Sequence, residues 1–234
     1  MPRPTDDPTA HAKERAWREL ATIDEELSAG TIDEEEWHRR VLMIVEPAYL
    51  GAETPQGQSG HSGDAERWER ARRLVLDAVD RNGTFLDIGC ANGLLMESVA
   101  GWAAEDGRTL APYGLDISAA LSDLARERLP HWADRIWTGN AMSFDPPRRF
   151  TYVRTGLDYV PARRRAEYLA HLMTAYVEPD GRLIIGTYNE ESGSESLCDE
   201  VARWGHVISG RSSRSHRVDG LSYKVFWIDQ VAQQ

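Results

Sequence analysis

The run Thr84-Phe85-Leu86-Asp87-Ile88 leads into the loop Gly89-Cys90-Ala91-Asn92-Gly93, and the types and order of these residues suit a ligand-binding turn. The apolar run predicts a strand that ends beside an acid. Leu95, Met96, Val99 and Trp102 then recur at helical spacing, so the loop joins the carboxyl end of a strand to the amino end of a helix. A loop so placed turns backbone N–H groups and the positive end of a helix dipole towards a ligand, and a glycine omits the Cβ that would hold the ligand away. A second acid, Asp116, stands 23 residues beyond Gly93 near the end of another strand-like run, 110–117. That is close to the roughly 20-residue offset at which a strand-end carboxylate accepts hydrogen bonds from two adjacent ribose hydroxyls.

Spacing narrows the ligand. A dinucleotide loop reads G-x-G-x-x-G, whereas the positions from Gly89 read Gly-Cys-Ala-Asn-Gly-Leu and lack the second and third glycines, which disfavours NAD. The stretch from Asp87 to Gly93 instead resembles the D/E-x-G-x-G-x-G signature of the class I S-adenosylmethionine-dependent methyltransferases, with Ala91 where the middle glycine usually stands. Farther along, Gly139-Asn140-Ala141 is similar to the family's adenine-side G-D-A segment. Leu157-Asp158-Tyr159-Val160-Pro161 is similar to the L-E-H-V-P segment of many small-molecule members. The resemblance covers about residues 64–230 and implies transfer of a methyl group from S-adenosylmethionine to an oxygen or nitrogen of a small-molecule acceptor. It places the cofactor along Asp87, Gly89, Cys90, Ala91 and Gly93, with Asp116 and Ile117 at the ribose, Asn140 and Ala141 at the adenine, and Thr155 at the end of the fourth strand.

The chemistry asks mainly for placement, because the sulfonium methyl is already electrophilic and needs a nucleophile held in line in a dry pocket. A base helps only where the acceptor must lose a proton. The candidates are His61, whose reference pKa suits the task, and Asp158 and Tyr159 beside the cofactor; each has a purely structural alternative. Tyr159 replaces the family's histidine, and a phenol with a reference pKa of about 10 is a poor base. Asn140 replaces the usual aspartate, and its amide oxygen still accepts from an exocyclic amine.

The elements that must position these residues follow in order. Asp64 caps a helix in which Trp68, Ala71, Val75 and Ala78 face one way, and Asn82-Gly83 ends it before the first strand. A second strand over 110–117 precedes a helix of Leu121, Leu124, Ala125 and Leu129 that Pro130 closes. Residues 135–138, 150–155 and 182–188 read as further strands. Arg163, Arg164 and Arg165 open the helix before the last of these, either as an anion-holding set or as a solvated face. Residues 206–213 and 221–228 have no helix between them and therefore pair antiparallel. The expected fold is α/β: a seven-stranded, mostly parallel, doubly wound sheet with a terminal antiparallel hairpin and an N-terminal helical extension.

In that extension, Ala16, Leu20, Ile23 and Leu27 form one apolar stripe before Gly30. Thr31 with Glu34 fits a capping box for a second helix, which Glu46-Pro47 is expected to end. The pair reads as a lid, or as a packing surface that would make a homodimer. Residues 51–63 form a glycine-rich loop that reads as a flap over the cofactor or as a plain linker. The domain division expected is thus 1–63 for lid and flap and 64–234 for the cofactor-binding domain.

Composition sets outer limits. Residues 1–64 hold 14 acidic side chains against 6 basic ones, and so carry −8 of the formal −11. The lack of a basic surplus disfavours nucleic acid as a partner. No stretch approaches the roughly 18–20 apolar residues of a membrane span, and no signal-like segment opens the chain, so a soluble cytoplasmic protein without a membrane partner is expected. Cys90 and Cys198 lack metal-ligand spacing and read as free thiols; no metal is expected. A nucleic-acid or protein methyltransferase and a non-catalytic S-adenosylmethionine-binding module remain as alternative readings.

Overall fold

The computed structural model describes residues 8–230, with side chains from residue 18 onward. Its contacts divide the chain after Ala48, so that residues 51–63 group with the sheet domain and not with the helices before them.

The first unit is a helical hairpin of α1 (Pro8–Ser28) and α2 (Glu34–Leu50), the end of which crosses into the second unit. Ile23, Leu27 and Trp37 form its small core, and the Trp37 indole donates to Asp24 Oδ1 at 2.7 Å. The cap of α2 is Asp33, whose Oδ1 accepts from the Glu36 amide at 2.8 Å, where Thr31 was expected. Thr31 instead bonds back to the Glu26 carbonyl and closes α1. Pro47 lies inside α2 and does not end it; so near the C-terminus its missing N–H removes only one late hydrogen bond. Ala16 of the expected stripe falls among residues whose side chains are not described.

The second unit is a seven-stranded sheet in the order β3-β2-β1-β4-β5-β7-β6. Its strands are β1 (Gly83–Ile88), β2 (Leu110–Asp116), β3 (Ile136–Thr138), β4 (Phe150–Thr155), β5 (Val177–Glu191), β6 (Gly210–Ser215) and β7 (Leu221–Asp229). The first five are mutually parallel, and β7 runs antiparallel to both β5 and β6, as the missing helix before it requires. The helices are α3 (Ala65–Arg72), α4 (Leu94–Glu105), α5 (Ala119–Arg128), α6 (Arg165–Ala175) and α7 (Ser196–Arg203).

Both sheet faces are covered, which is why the central strands are buried almost without alternation. Leu86, Val153, Leu183 and Phe226 pack with Leu169 and Leu172 of α6 in one cluster. Phe85, Tyr152, Ile184 and Val225 pack with Trp68 of α3 and Val99 of α4 in another. The helix expected to run from Asp64 to Asn82 stops at Arg72 and tightens into a 3-10 segment over 73–78. There Leu74, Val75, Leu76 and Ala78 are all buried, so a one-sided helical stripe no longer describes the environment.

Candidate functional site

The strand order reverses between β1 and β4, which is where open α/β sheets leave a crevice at the carboxyl ends of their strands. The turn of residues 89–93 lies at that reversal. Gly89 has φ +76°, Ala91 +47° and Gly93 +76°, so alternate residues adopt left-handed conformations and swing the chain from β1 into α4. Ala91 holds this conformation with a Cβ, which ordinarily costs about 1–2 kcal/mol.

The amides of this turn do not face outward as the sequence suggested. Those of Gly89 and Cys90 donate to the Leu115 carbonyl, that of Gly93 to Cys90, that of Ala91 to Asp116 Oδ2 and that of Leu94 to Asn92 Oδ1. A pyrophosphate cradle would keep such donors for its anion. Here five of the six amides from Gly89 to Leu94 are bonded inside the protein, so the turn offers close backbone approach and few donors to an anion. The Cys90 thiol is buried under the turn against Gly114 and Met96, and burial raises its pKa well above the ordinary value.

Asp116 ends β2 beside this turn. Its Oδ2 accepts from Ala91 at 2.8 Å and its Oδ1 from the Ser118 amide at 2.9 Å, so one carboxylate ties the glycine turn to the start of α5. Ile117 follows Asp116, half-buried. The Gly139 amide donates to the Asp116 carbonyl, which brings the next loop alongside, and there Asn140 Oδ1 accepts from Met142 at 2.9 Å with Ala141 buried behind it. Thr155 is placed differently: it is fully buried, and its hydroxyl lies 2.6 Å from that of Tyr168 on α6.

Across the reversal, Asp87 on β1 pairs in register with Arg154 on β4, and their side chains form a buried ion pair at 3.2 Å. Arg154 also donates to Tyr159 Oη at 3.0 Å and to the Gly186 carbonyl. Burial outweighs the attraction of Arg154 and of nearby Arg72, leaving the Asp87 carboxyl raised to about 6. Arg72 is held at the end of α3 by the carbonyl and hydroxyl of Thr187 and lies over the Trp68 ring at 5.4 Å. The Tyr159 ring sits against Gly89, where a Cβ would meet it at 2.5 Å. Burial raises this phenol further and keeps it protonated. Asp158 is exposed and folds back over Gly156.

Residues 51–63 are folded onto the turn. Asn92, completely buried, donates to the Pro55 carbonyl at 2.9 Å and to Gln58 Oε1 at 3.3 Å, while its Oδ1 accepts from Ser59 at 2.5 Å. Tyr49 packs against Gly60 of the same segment, and the charges that act on it include Asp158, Arg72, Asp116 and Arg154. His61 is buried beside Trp68, with no partner for Nε2 among the described residues. Burial first, then Arg72 and Arg67, pull its pKa down to about 4, so the value that recommended it as a base does not survive folding.

Around this turn the structure brings together the predicted Asp87, Gly89, Ala91, Gly93, Asp116, Asn140 and Tyr159 with four residues not anticipated: Tyr49, Arg72, Asn92 and Arg154. Only Arg154 left a signal, as a charge inside the otherwise uncharged strand Phe-Thr-Tyr-Val-Arg-Thr, all of which is buried. Among the described residues no cluster of His, Cys, Asp and Glu could hold a metal ion, and no helix is long and apolar enough to cross a membrane.

No protein-family model and no curated protein matches this sequence. Solved structures match its fold. A (4+2)-cyclase, SpnF, superposes with a TM-score of 0.59 at 13% identity over 86% of this chain and 95% of its own. The 1,6-didemethyltoxoflavin-N1-methyltransferase of Burkholderia thailandensis, with 1,6-didemethyltoxoflavin and S-adenosylhomocysteine bound, gives 0.54 at 16% over 99% and 93%. Magnesium protoporphyrin IX methyltransferase from Synechocystis PCC 6803, with S-adenosylmethionine bound, gives 0.54 at 15% over 85% and 98%. The chain has the Rossmann-like fold of the class I S-adenosylmethionine-dependent methyltransferases: a seven-stranded, mostly parallel sheet closed by an antiparallel hairpin.

Proposed function

We propose that this protein is an S-adenosylmethionine-dependent methyltransferase acting on an oxygen or nitrogen of a small molecule. The observation that carries the reading is the turn at 89–94, five of whose six amides are spent on Leu115, Asp116, Cys90 and Asn92. Such a turn suits a cofactor that carries an adenosine and no phosphate. The residues present fit that group. Asp116 would accept from the ribose hydroxyls, Asn140 and Ala141 would flank the adenine, and Gly89 would admit the methionine portion once the Tyr159 ring turns aside. Asp87, Arg154 and Arg72 supply the charges to match an amino-acid end that bears both an ammonium and a carboxylate.

Bound there, S-adenosylmethionine supplies an electrophilic methyl group. The protein's own part is to place a nucleophile and exclude water, with residues 55–61 closing over the turn through Asn92. The proton balance favours an acceptor that ionises by itself or reacts through a neutral lone pair. His61 is too weak a base at a pKa of about 4, and Tyr159 holds its proton. The two methyltransferases with the same fold, one of them bound to a small heterocycle, support a small-molecule acceptor.

Because the fold also carries a cyclase, binding and turnover need separate tests. S-adenosylhomocysteine should raise the melting temperature by mass action and NAD should not. Methyl-labelled S-adenosylmethionine should then deliver label to a member of a panel of phenols, carboxylic acids and amines. Stabilisation by NAD alone sinks the cofactor assignment; stabilisation by S-adenosylhomocysteine without label transfer to any acceptor leaves a binding module in place of an enzyme.

A further inference from the structure

Arg67, Arg70 and Arg217 make no ion pair with any described residue, although this chain carries a formal charge of −11 and most of its other arginines are paired. All three line one cleft of about 330 Å³ between α3 and the β6–β7 turn. Their partners are uncharged: Arg67 donates to Tyr223 Oη at 2.9 Å and to Ser62 Oγ at 3.3 Å, and Arg70 to the carbonyl and hydroxyl of Ser215.

Two of the other polar groups there, His216 and Tyr223, are also donors. His216 Nδ1 accepts from the Val218 amide at 3.0 Å, so in the neutral ring the proton must sit on Nε2. That tautomer makes the 3.5 Å approach of Arg67 Nη2 to His216 Nε2 a meeting of two donors, each needing an acceptor. Tyr223 Oη receives from Arg67 and keeps its own proton to give. Two carboxylates also stand on the wall, Asp64, which caps α3 by accepting from the Arg67 amide at 2.9 Å, and Glu66, which makes no ion pair with the three arginines; together they leave the cleft a formal excess of one positive charge.

We propose that this cleft is an oxyanion site, which takes a phosphate or carboxylate group of a small molecule between the guanidinium groups of Arg67, Arg70 and Arg217, with His216 Nε2–H and Tyr223 O–H completing the donor set. An oxyanion is the one common chemistry that offers acceptors to every member and neutralises the uncompensated charge. The site lies next to Ser62 at the end of the flap segment, and it does not depend on the methyl-transfer reading.

The test is calorimetric titration of the full chain with inorganic phosphate and, separately, with succinate. Arg217→Gln and Arg70→Gln are the variants, and Arg149→Gln is a control outside the cleft. Arg217 and Arg70 are exposed, so neither change threatens folding. Saturable binding of either anion is expected, weakened about tenfold by each cleft variant and unchanged in the control. Which anion binds identifies the group. A shift of the His216 Nε2 resonance on titration should accompany binding. Absence of saturable binding by both anions overturns the proposal, as does equal weakening in the control.

Discussion

At the scale of single residues, Asp116 does two jobs that the sequence could not separate. It is the carboxylate proposed to accept from a ribose, and it also holds two amides that would otherwise be buried without acceptors. Asp116→Ala would therefore confound binding with folding. Asp116→Asn keeps one acceptor but sets its NH2 against the other amide, so its melting temperature should also fall, and affinity for S-adenosylhomocysteine, read where the variant is still folded, should fall by roughly 1.5–3 kcal/mol, the range for hydrogen bonds to a charged group. Calorimetry at wild-type affinity would take Asp116 out of the site.

His61 and Asp87 make opposite contributions to the pH dependence of stability. The folded pKa of His61 is depressed to about 4 from 6.5, so the unfolded chain binds the extra proton and stability from this group is lost as pH falls through that window. The folded pKa of Asp87 is raised to about 6 from 3.8, so its contribution is full below about 4 and is lost as pH rises towards 6. Measured against the wild type by denaturant unfolding, His61→Gln should improve as pH is lowered from 7 to 4. Asp87→Asn should improve as pH is raised over the same interval. A flat difference for either variant would contradict the burial from which its shift arises.

At the scale of elements, the segment 55–61 is docked on the glycine turn by Asn92 alone among the turn's side chains, through three hydrogen bonds of 2.5–3.3 Å. The fourth bond of that side chain, to the Leu94 amide, starts α4. Asn92→Ala should therefore release the segment while costing a few kcal/mol, at about 1 kcal/mol per net hydrogen bond. Amide hydrogen exchange is the suitable measurement, because such opening is slower than fast-motion probes detect. Exchange over 51–63 should rise in the variant more than exchange in β1 or β4. Unchanged protection of 51–63 would mean that other contacts hold the segment.

At the scale of the whole molecule, the acidic excess argues against a polyphosphate partner even though one cleft gathers three arginines. The formal charge is −11, of which residues 1–64 contribute −8. Single-stranded RNA and duplex DNA should therefore give no retained band at about 150 mM salt, where affinity rests on phosphate neutralisation. A salt-dependent shift removed by Arg217→Gln would convert the oxyanion cleft into part of a nucleic-acid surface and overturn the small-molecule reading.

The sequence by itself determined the parts of this protein that depend on neighbours in the chain. The strand-turn-helix at 84–105, the acid at the end of β2, the missing helix before β7 and hence its antiparallel direction were all legible, because hydrophobic period, glycine placement and connection length are local properties. Local reading failed where the environment changed within one element: α3 tightens at Arg72, beyond which Leu74, Val75, Leu76 and Ala78 are all buried and no one-sided stripe remains, and Asp33 rather than Thr31 supplies the cap of α2. The site's electrostatics were decided only by tertiary structure. Asp87 and Arg154 are far apart in sequence and meet because β1 and β4 are neighbours at the reversal of strand order. His61 lost its basicity to burial beside Arg72, and the turn's amides were consumed by Leu115 and Asp116 on the next strand. Charge, burial and donor supply are sums over everything nearby in space, and the chain brings those neighbours together only by folding.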